Sequence, residues 1–145
     1  MQEVYEKAAA VTTDKADKSK VVERLHPLML DVTNEEHIAD AVEAVTHFVG
    51  ENGLYGLFNN AGKGKSKDDG NSIEELPLQV YHDVFGINFF GTLAVTKAFL
   101  QLLRQRKDSR IVVNFSVAGR ISTPFGSPYR TSKFAVEALY DALRR

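Results

Sequence analysis

Tyr129 and Lys133 stand four residues apart in SPYRTSKFAVEAL, residues 127–139. The apolar spacing of that stretch reads as a helix, and positions i and i+4 share one helix face. Tyrosine titrates near pH ~10 when unperturbed. A cation one turn away favours the phenolate and lowers that value. The spacing therefore predicts a phenol suited to general acid or base work near neutral pH. Ser116 ends the preceding apolar run, RIVVNFS, and its hydroxyl can bond a carbonyl or alcohol oxygen at the same place. Interconverting carbonyl and alcohol also takes a hydride. No side chain supplies one, and a nicotinamide does. Alone, a tyrosine–lysine pair at this spacing is ordinary surface decoration, so its setting in the chain matters.

These side chains need strands that end near them and helices that carry them. HPLMLDV, 26–32, is long enough for one buried strand, over 28–32. Thr33 then opens TNEE as a capping box with Glu36. Ile38, Ala41, Val42, Val45, Phe48 and Val49 follow at helical spacing, and ENG closes that helix near Gly53. LYGLFNNAG, 54–62, reads as a second buried strand running into an exposed loop, 63–72. Residues 77–106 form a long helix that starts at Pro77. Gly86 and Gly91 inside it each weaken it by about 1 kcal/mol relative to alanine, so each is expected to permit a close approach. RIVVNFS, 110–116, is a third strand, rich in β-branched residues. A loop with Gly119, Pro124 and Gly126 leads to the last helix, 127–145. Residues 2–10 are helix-like, and 12–20 make a weak link.

Strands alternating with helices predict an α/β fold with a mainly parallel sheet, in one domain over 1–145. In such a sheet ligands gather outside the carboxyl ends of the strands. Those ends are Asp31, Asn59-Asn60-Ala61-Gly62, and Asn114 to Ser116. Polar and small residues at all three mark one sheet edge as a site.

The bulk numbers exclude several function classes. The 145 residues are 43% hydrophobic and 26% charged, with a formal net charge of -1. A general nucleic-acid binder would carry a basic excess. With no cysteine, neither a disulfide framework nor a Cys-based metal site is possible. His26, His37, His47 and His82 lack ligand spacing, so no metal is expected. GKGKS, 62–66, is not a phosphate loop, because Asn59 and Leu57 stand where its first glycine is needed. The first twenty residues have no apolar core of signal-peptide type. The most apolar stretch, Val84 to Leu103, is interrupted by Asn88, Thr92, Thr96 and Lys97. It reads as a buried helix rather than a membrane span. The expected location is cytoplasmic.

Four motifs in register carry a family resemblance. NNAG at 59–62, the asparagine of GINFFG at 88, NFSVAG at 114–119 and YRTSK at 129–133 resemble the short-chain dehydrogenase/reductase family. Thirteen residues separate Ser116 from Tyr129, which fits too. The resemblance runs from about Leu28 to Arg145, and GRIS…GSPYRTSKFAVEALYDALRR is most similar to the retinol and hydroxysteroid dehydrogenase branch. It implies a Rossmann-like doubly wound parallel sheet, NAD or NADP, and a small alcohol or carbonyl substrate, hydrophobic by analogy with that branch. It implies Tyr129 as proton donor and acceptor, and Lys133 as the group that lowers its pKa and holds the nicotinamide ribose. Ser116 would orient the substrate oxygen, and Asn88 would hold a water in the proton relay. Asp31 would contact adenine, while Asn60, Ala61 and Gly62 would line the cofactor groove. Helices 77–106 and 127–145 resemble those through which family members form homodimers. Relatives in that branch are often membrane-associated through other segments.

One part of the family pattern is absent. Its TGxxxGxG loop brings backbone amides to the pyrophosphate at a helix N-terminus. Here the first glycine is Gly50. The expected fold is thus partial, lacking the family's first two strands and its C-terminal part. In the family's strand order, 3-2-1-4-5, those two strands lie between the 28–32 and 55–60 strands. Their absence leaves three inter-strand steps, about 14 Å. Either the 28–32 strand pairs directly with the next, or the sheet opens and exposes edges. Two functions stay open: an NAD(P)-dependent oxidoreductase, and a non-catalytic fragment that keeps only helical association surfaces.

Overall fold

The computed structural model describes residues 25–64 and 72–144. The helix expected at 2–10, the link at 12–20 and most of the 63–72 loop lie outside the described residues. Helix α1 spans Glu35–Val49, and a 3-10 turn at Gly50–Asn52 leads out of it. Strand β1 is Gly56–Asn59. Helix α2, Leu78–Phe85, runs through a π-helical segment, Gly86–Gly91, into α3, Thr92–Arg104. Strand β2 is Arg110–Val113. A 3-10 turn, Val117–Gly119, precedes α4, Ser127–Leu143.

β1 and β2 pair in parallel, with Leu57 opposite Ile111 and Phe58 opposite Val112. Parallel neighbours need a long crossover, and α2, the π segment and α3 supply it. The pleat turns alternate residues to opposite faces. Leu57 and Ile111 pack on the core of Ile38, Ala41, Val95, Phe99, Leu102 and Leu103. Phe58 and Val112 face outward and are exposed. That core joins α1 to α3. The continuous helix Leu78–Arg104 is long and apolar enough to cross a membrane by length and composition, yet Val84, Val95, Phe99 and Leu102 are buried against the rest of the chain.

A buried polar knot ties three elements together. Asn59 Nδ2, at the end of β1, donates to Thr96 Oγ1 of α3 at 2.9 Å. It also donates to Tyr140 Oη of α4 at 2.6 Å. Thr96 and Tyr140 share a further hydrogen bond of 2.7 Å. Burial pushes the Tyr140 phenol above its ordinary range, and the bonds to Thr96 and Asn59 oppose that shift. Tyr140 is thus a neutral structural phenol. The matched partners remove the cost of burying three polar groups.

Four expectations need correction. Residues 28–32 form no strand, and Leu28, Met29 and Leu30 are exposed. A strand needs a neighbour for its backbone groups, and a cleft of about 380 Å³ opens between Leu30, Val32 and β1 instead. The sheet thus has two strands among the described residues, each with a free edge. The cap of α1 is Asn34, not Thr33: Asn34 Oδ1 accepts from the Glu36 and His37 amides. Thr33 is drawn back to Asp31, bonding its carboxylate through both amide and hydroxyl. Phe48 lies outside the core and stacks on His26 with centroids 4.3 Å apart. Of the two helix glycines, Gly91 does permit a close approach, since a Cβ there would meet Val32 Cγ2 at 2.6 Å. Gly86 faces open space and instead begins the π segment.

A two-stranded sheet with Met29, Phe58 and Val112 exposed buries too little apolar surface to be robust. Circular dichroism melting is expected to give a broad transition with a midpoint below about 60 °C. A sharp cooperative transition above that temperature would contradict this.

Candidate active site

The ends of β1 and β2 are fastened side by side. The Asn114 amide donates to the Asn59 carbonyl at 2.9 Å, and Asn114 Nδ2 donates to Asn60 Oδ1 at 2.9 Å. This brings two of the three expected strand ends together. Asp31 is exposed, between Leu30 and Val32, which line one cleft with Asn59, Asn60 and Ala61. Its carboxyl is held below the usual range, first by the Thr33 amide and then by the Thr33 hydroxyl.

Lys133 reaches from α4 to the same edge. It is only 8% exposed, and its ammonium donates to the Asn114 carbonyl at 2.9 Å. It also lies 5.7 Å from the centroid of the Tyr129 ring, within cation–π range. The buried charge therefore has both a carbonyl and an aromatic face.

Ser116 follows Asn114 by two residues and opens the 3-10 turn that packs on α4. Its Oγ accepts from the Ala118 amide at 3.2 Å. The lone pair is used, and the O–H proton stays available for an outside acceptor. Gly119 fixes this turn against the helix, for a Cβ there would sit 3.0 Å from the Lys133 carbonyl oxygen. The Lys133 ammonium, beside the Tyr129 ring, therefore sits at the carboxyl end of β2, and Ser116 lies three residues past that end in the chain.

The loop between Ser116 and Tyr129 is strapped down. Arg130 Nε donates to the Phe125 carbonyl at 3.1 Å, and Nη1 donates to the Ile121 carbonyl at 3.3 Å. Phe125 and Gly126 both have left-handed backbones, φ 68° and 67°. That is natural for glycine and strained for phenylalanine. Val117, Ile121 and Phe125 all expose apolar side chains from this loop.

Asn88 sits in the π segment, a geometry that recurs at functional sites, and is 2% exposed. Both N–H groups of its side-chain amide are used. Oδ1 accepts from the Lys63 amide at 2.7 Å, and Nδ2 donates to the Lys63 carbonyl at 3.1 Å. Nδ2 also donates to Ser132 Oγ at 2.9 Å, and Ser132 passes its proton to the Tyr129 carbonyl at 2.7 Å. The Asn88 side chain thus clamps the loop after Gly62 and leaves no spare donor for water. Sequence reasoning missed Ser132 and Arg130, whose only signal was their place inside YRTSK.

Gly62 completes the geometry. A Cβ there would lie 3.4 Å from Asn88 Oδ1 and 3.8 Å from Lys133 Nζ. The missing side chain leaves room beside the ammonium and between two polar groups.

Comparison with known proteins agrees with this arrangement. The short chain dehydrogenase family model matches residues 2–145. The chain is 41% identical over 128 residues to 17-beta-hydroxysteroid dehydrogenase type 6 of Bos taurus, covering 88% of this chain and 39% of that protein. It is 40% identical over 140 residues to retinol dehydrogenase 16 of Mus musculus, covering 95% of this chain and 43% of that one. The chain thus spans about two fifths of the length of these relatives. Among solved structures, ElxO with NADP bound superimposes with a TM-score of 0.74 at 26% identity, covering 83% of this chain and 47% of ElxO. The fold is a partial Rossmann-like one, and the chain belongs to the short-chain dehydrogenase family, nearest its hydroxysteroid and retinol dehydrogenase branch.

Proposed function

We propose that this chain carries the proton-transfer site of an NAD- or NADP-dependent oxidoreductase that interconverts an alcohol and a carbonyl. One observation carries the reading: a buried Lys133 ammonium between the Asn114 carbonyl and the Tyr129 ring, with Ser116 two residues further on. A bound nicotinamide supplies or takes the hydride. In reduction Tyr129 gives its phenolic proton to the carbonyl oxygen, and in oxidation it takes the alcohol proton. Ser116 donates its O–H to that same oxygen and orients it. Lys133 places positive charge where the proton comes and goes, and it binds the nicotinamide ribose. Asn60, Ala61 and Gly62 line the groove, with Asp31 toward adenine. Asn88 holds the far wall of the groove through Lys63, and its Oδ1 keeps a second lone pair for a relay water. Exposed Val117, Ile121 and Phe125 favour an alcohol on an apolar body, of retinoid or steroid type.

A second reading rests on its own observation. A chain that associates through exposed helical faces would need no dinucleotide. Leu78, Phe90 and Phe134, exposed on the two long helical elements, would be its contact surface. Fluorescence of NADH and NADPH separates the readings. The site reading expects enhanced emission as the chain is added. Unchanged emission at millimolar dinucleotide would sink it and leave the association reading.

A further inference from the structure

Glu137 lies one helical turn beyond Lys133 on α4, on the same face. A helical side chain leans toward the N-terminus of its helix, so the Glu137 carboxylate leans toward Lys133. An ammonium and a carboxylate four residues apart on a helix can pair, though less well with the lysine first than with the carboxylate first. They do not pair here. Lys133 donates to Asn114 instead, and Glu137 is taken by the Arg120 guanidinium. The Glu137 side chain is 14% exposed and that of Arg120 is 68% exposed. The acid is therefore mostly removed from water, and its partner reaches in from the surface. Arg120 directly follows Gly119, which presses on the Lys133 carbonyl. Ion pair and glycine contact thus join the Ser116 turn to α4 on both sides of Lys133.

We propose that Arg120 is a positioning residue: by occupying Glu137 it keeps that carboxylate off Lys133, so the ammonium stays on Asn114 and beside Tyr129. This rests on the proton-transfer reading above for its functional meaning. Its physical content is independent of cofactor. Without Arg120, a poorly solvated anion would be left one turn from the only cation on that stretch of α4 that the site uses. A half-buried carboxylate without its partner seeks another, and Lys133 would be drawn from the Asn114 carbonyl.

Nitrogen-15 NMR of lysine ammonium groups tests this in the full chain, with Lys133→Met to assign the signal. A buried, hydrogen-bonded ammonium exchanges slowly enough to be seen. The unaltered chain is expected to show the Lys133 signal. Arg120→Gln is expected to shift or lose it, Glu137→Gln to retain it, and the double variant Arg120→Gln/Glu137→Gln to restore it. A plain structural clamp gives a different pattern, because the double variant then stays as impaired as Arg120→Gln. That result overturns the proposal. So does an unchanged signal in Arg120→Gln, no signal in the unaltered chain, or unfolding of the double variant. Adding NADH to the same samples reads the functional assignment separately. If the ammonium pattern holds but no signal responds to dinucleotide, the proton-transfer reading fails and the Arg120 inference stands.

Discussion

Tyr129→Phe is expected to slow alcohol–carbonyl turnover by at least ~100-fold, the lower end of what a positioned general acid or base contributes. The change removes one oxygen and keeps the ring. The cation–π contact of Lys133 with that ring survives, as does the Ser132 bond to the Tyr129 backbone carbonyl. Neither packing nor the ammonium's seat should move. The proton is transferred only on the way to the transition state, so the loss should fall on kcat rather than on KM. Tyr55→Phe is the matched control. Tyr55 is exposed, and its ring contact with Arg106 does not need the hydroxyl. Steady-state kinetics followed by nicotinamide absorbance reads both variants. A drop below about 10-fold in Tyr129→Phe, or an equal drop in Tyr55→Phe, would remove the phenol from the chemistry.

Asn88→Ala should destabilise the chain by about 2–4 kcal/mol. Three hydrogen bonds end on this amide, and the residue is nearly sealed from water. Each buried partner left unpaired costs roughly 1–3 kcal/mol. The loss is less than three full penalties because Lys63 sits in an exposed loop and its backbone can turn to water. Ser132 cannot, being 0% exposed. Urea unfolding in the cold, where even a weakened chain stays folded, gives the difference. The variant should also release the Gly62–Lys63 loop from the π segment, visible as faster amide exchange at Lys63. A change under about 0.5 kcal/mol, the ordinary range of surface substitutions, would show that the clamp carries no weight.

The nearness of Tyr129 and Lys133 was legible in the sequence, for a physical reason. Tyr129 and Lys133 meet through helix geometry alone, which a four-residue spacing already specifies. The β-branched run marked the third strand but not its end: β2 stops at Val113, short of the expected Ser116, which instead caps the 3-10 turn. Residues 28–32 have an equally apolar run but no strand, because a strand also depends on its neighbour's backbone. No periodicity in Leu28-Met29-Leu30 reports whether that neighbour is there. The Thr33-to-Asn34 shift of the α1 cap is a contest between two good capping residues, settled when Asp31 captured Thr33. The π segment was signalled by Gly86 and Gly91, although the spacing could not tell a close approach from a change of helical pitch. The knot of Asn59, Thr96 and Tyr140 joins residues up to 81 positions apart, beyond the reach of any local pattern.

The central claim is that the space beside Gly62, Lys133, Tyr129 and Ser116 receives a nicotinamide. Amide chemical shifts of the labelled chain during NADH titration measure this most directly. The account predicts saturable shifts concentrated at Gly62, Lys63, Asn114 to Ser116 and the first turns of α4. If millimolar dinucleotide moves no resonance there, or moves only residues remote from that end of the sheet, the phenol and its neighbouring ammonium have no cofactor to serve.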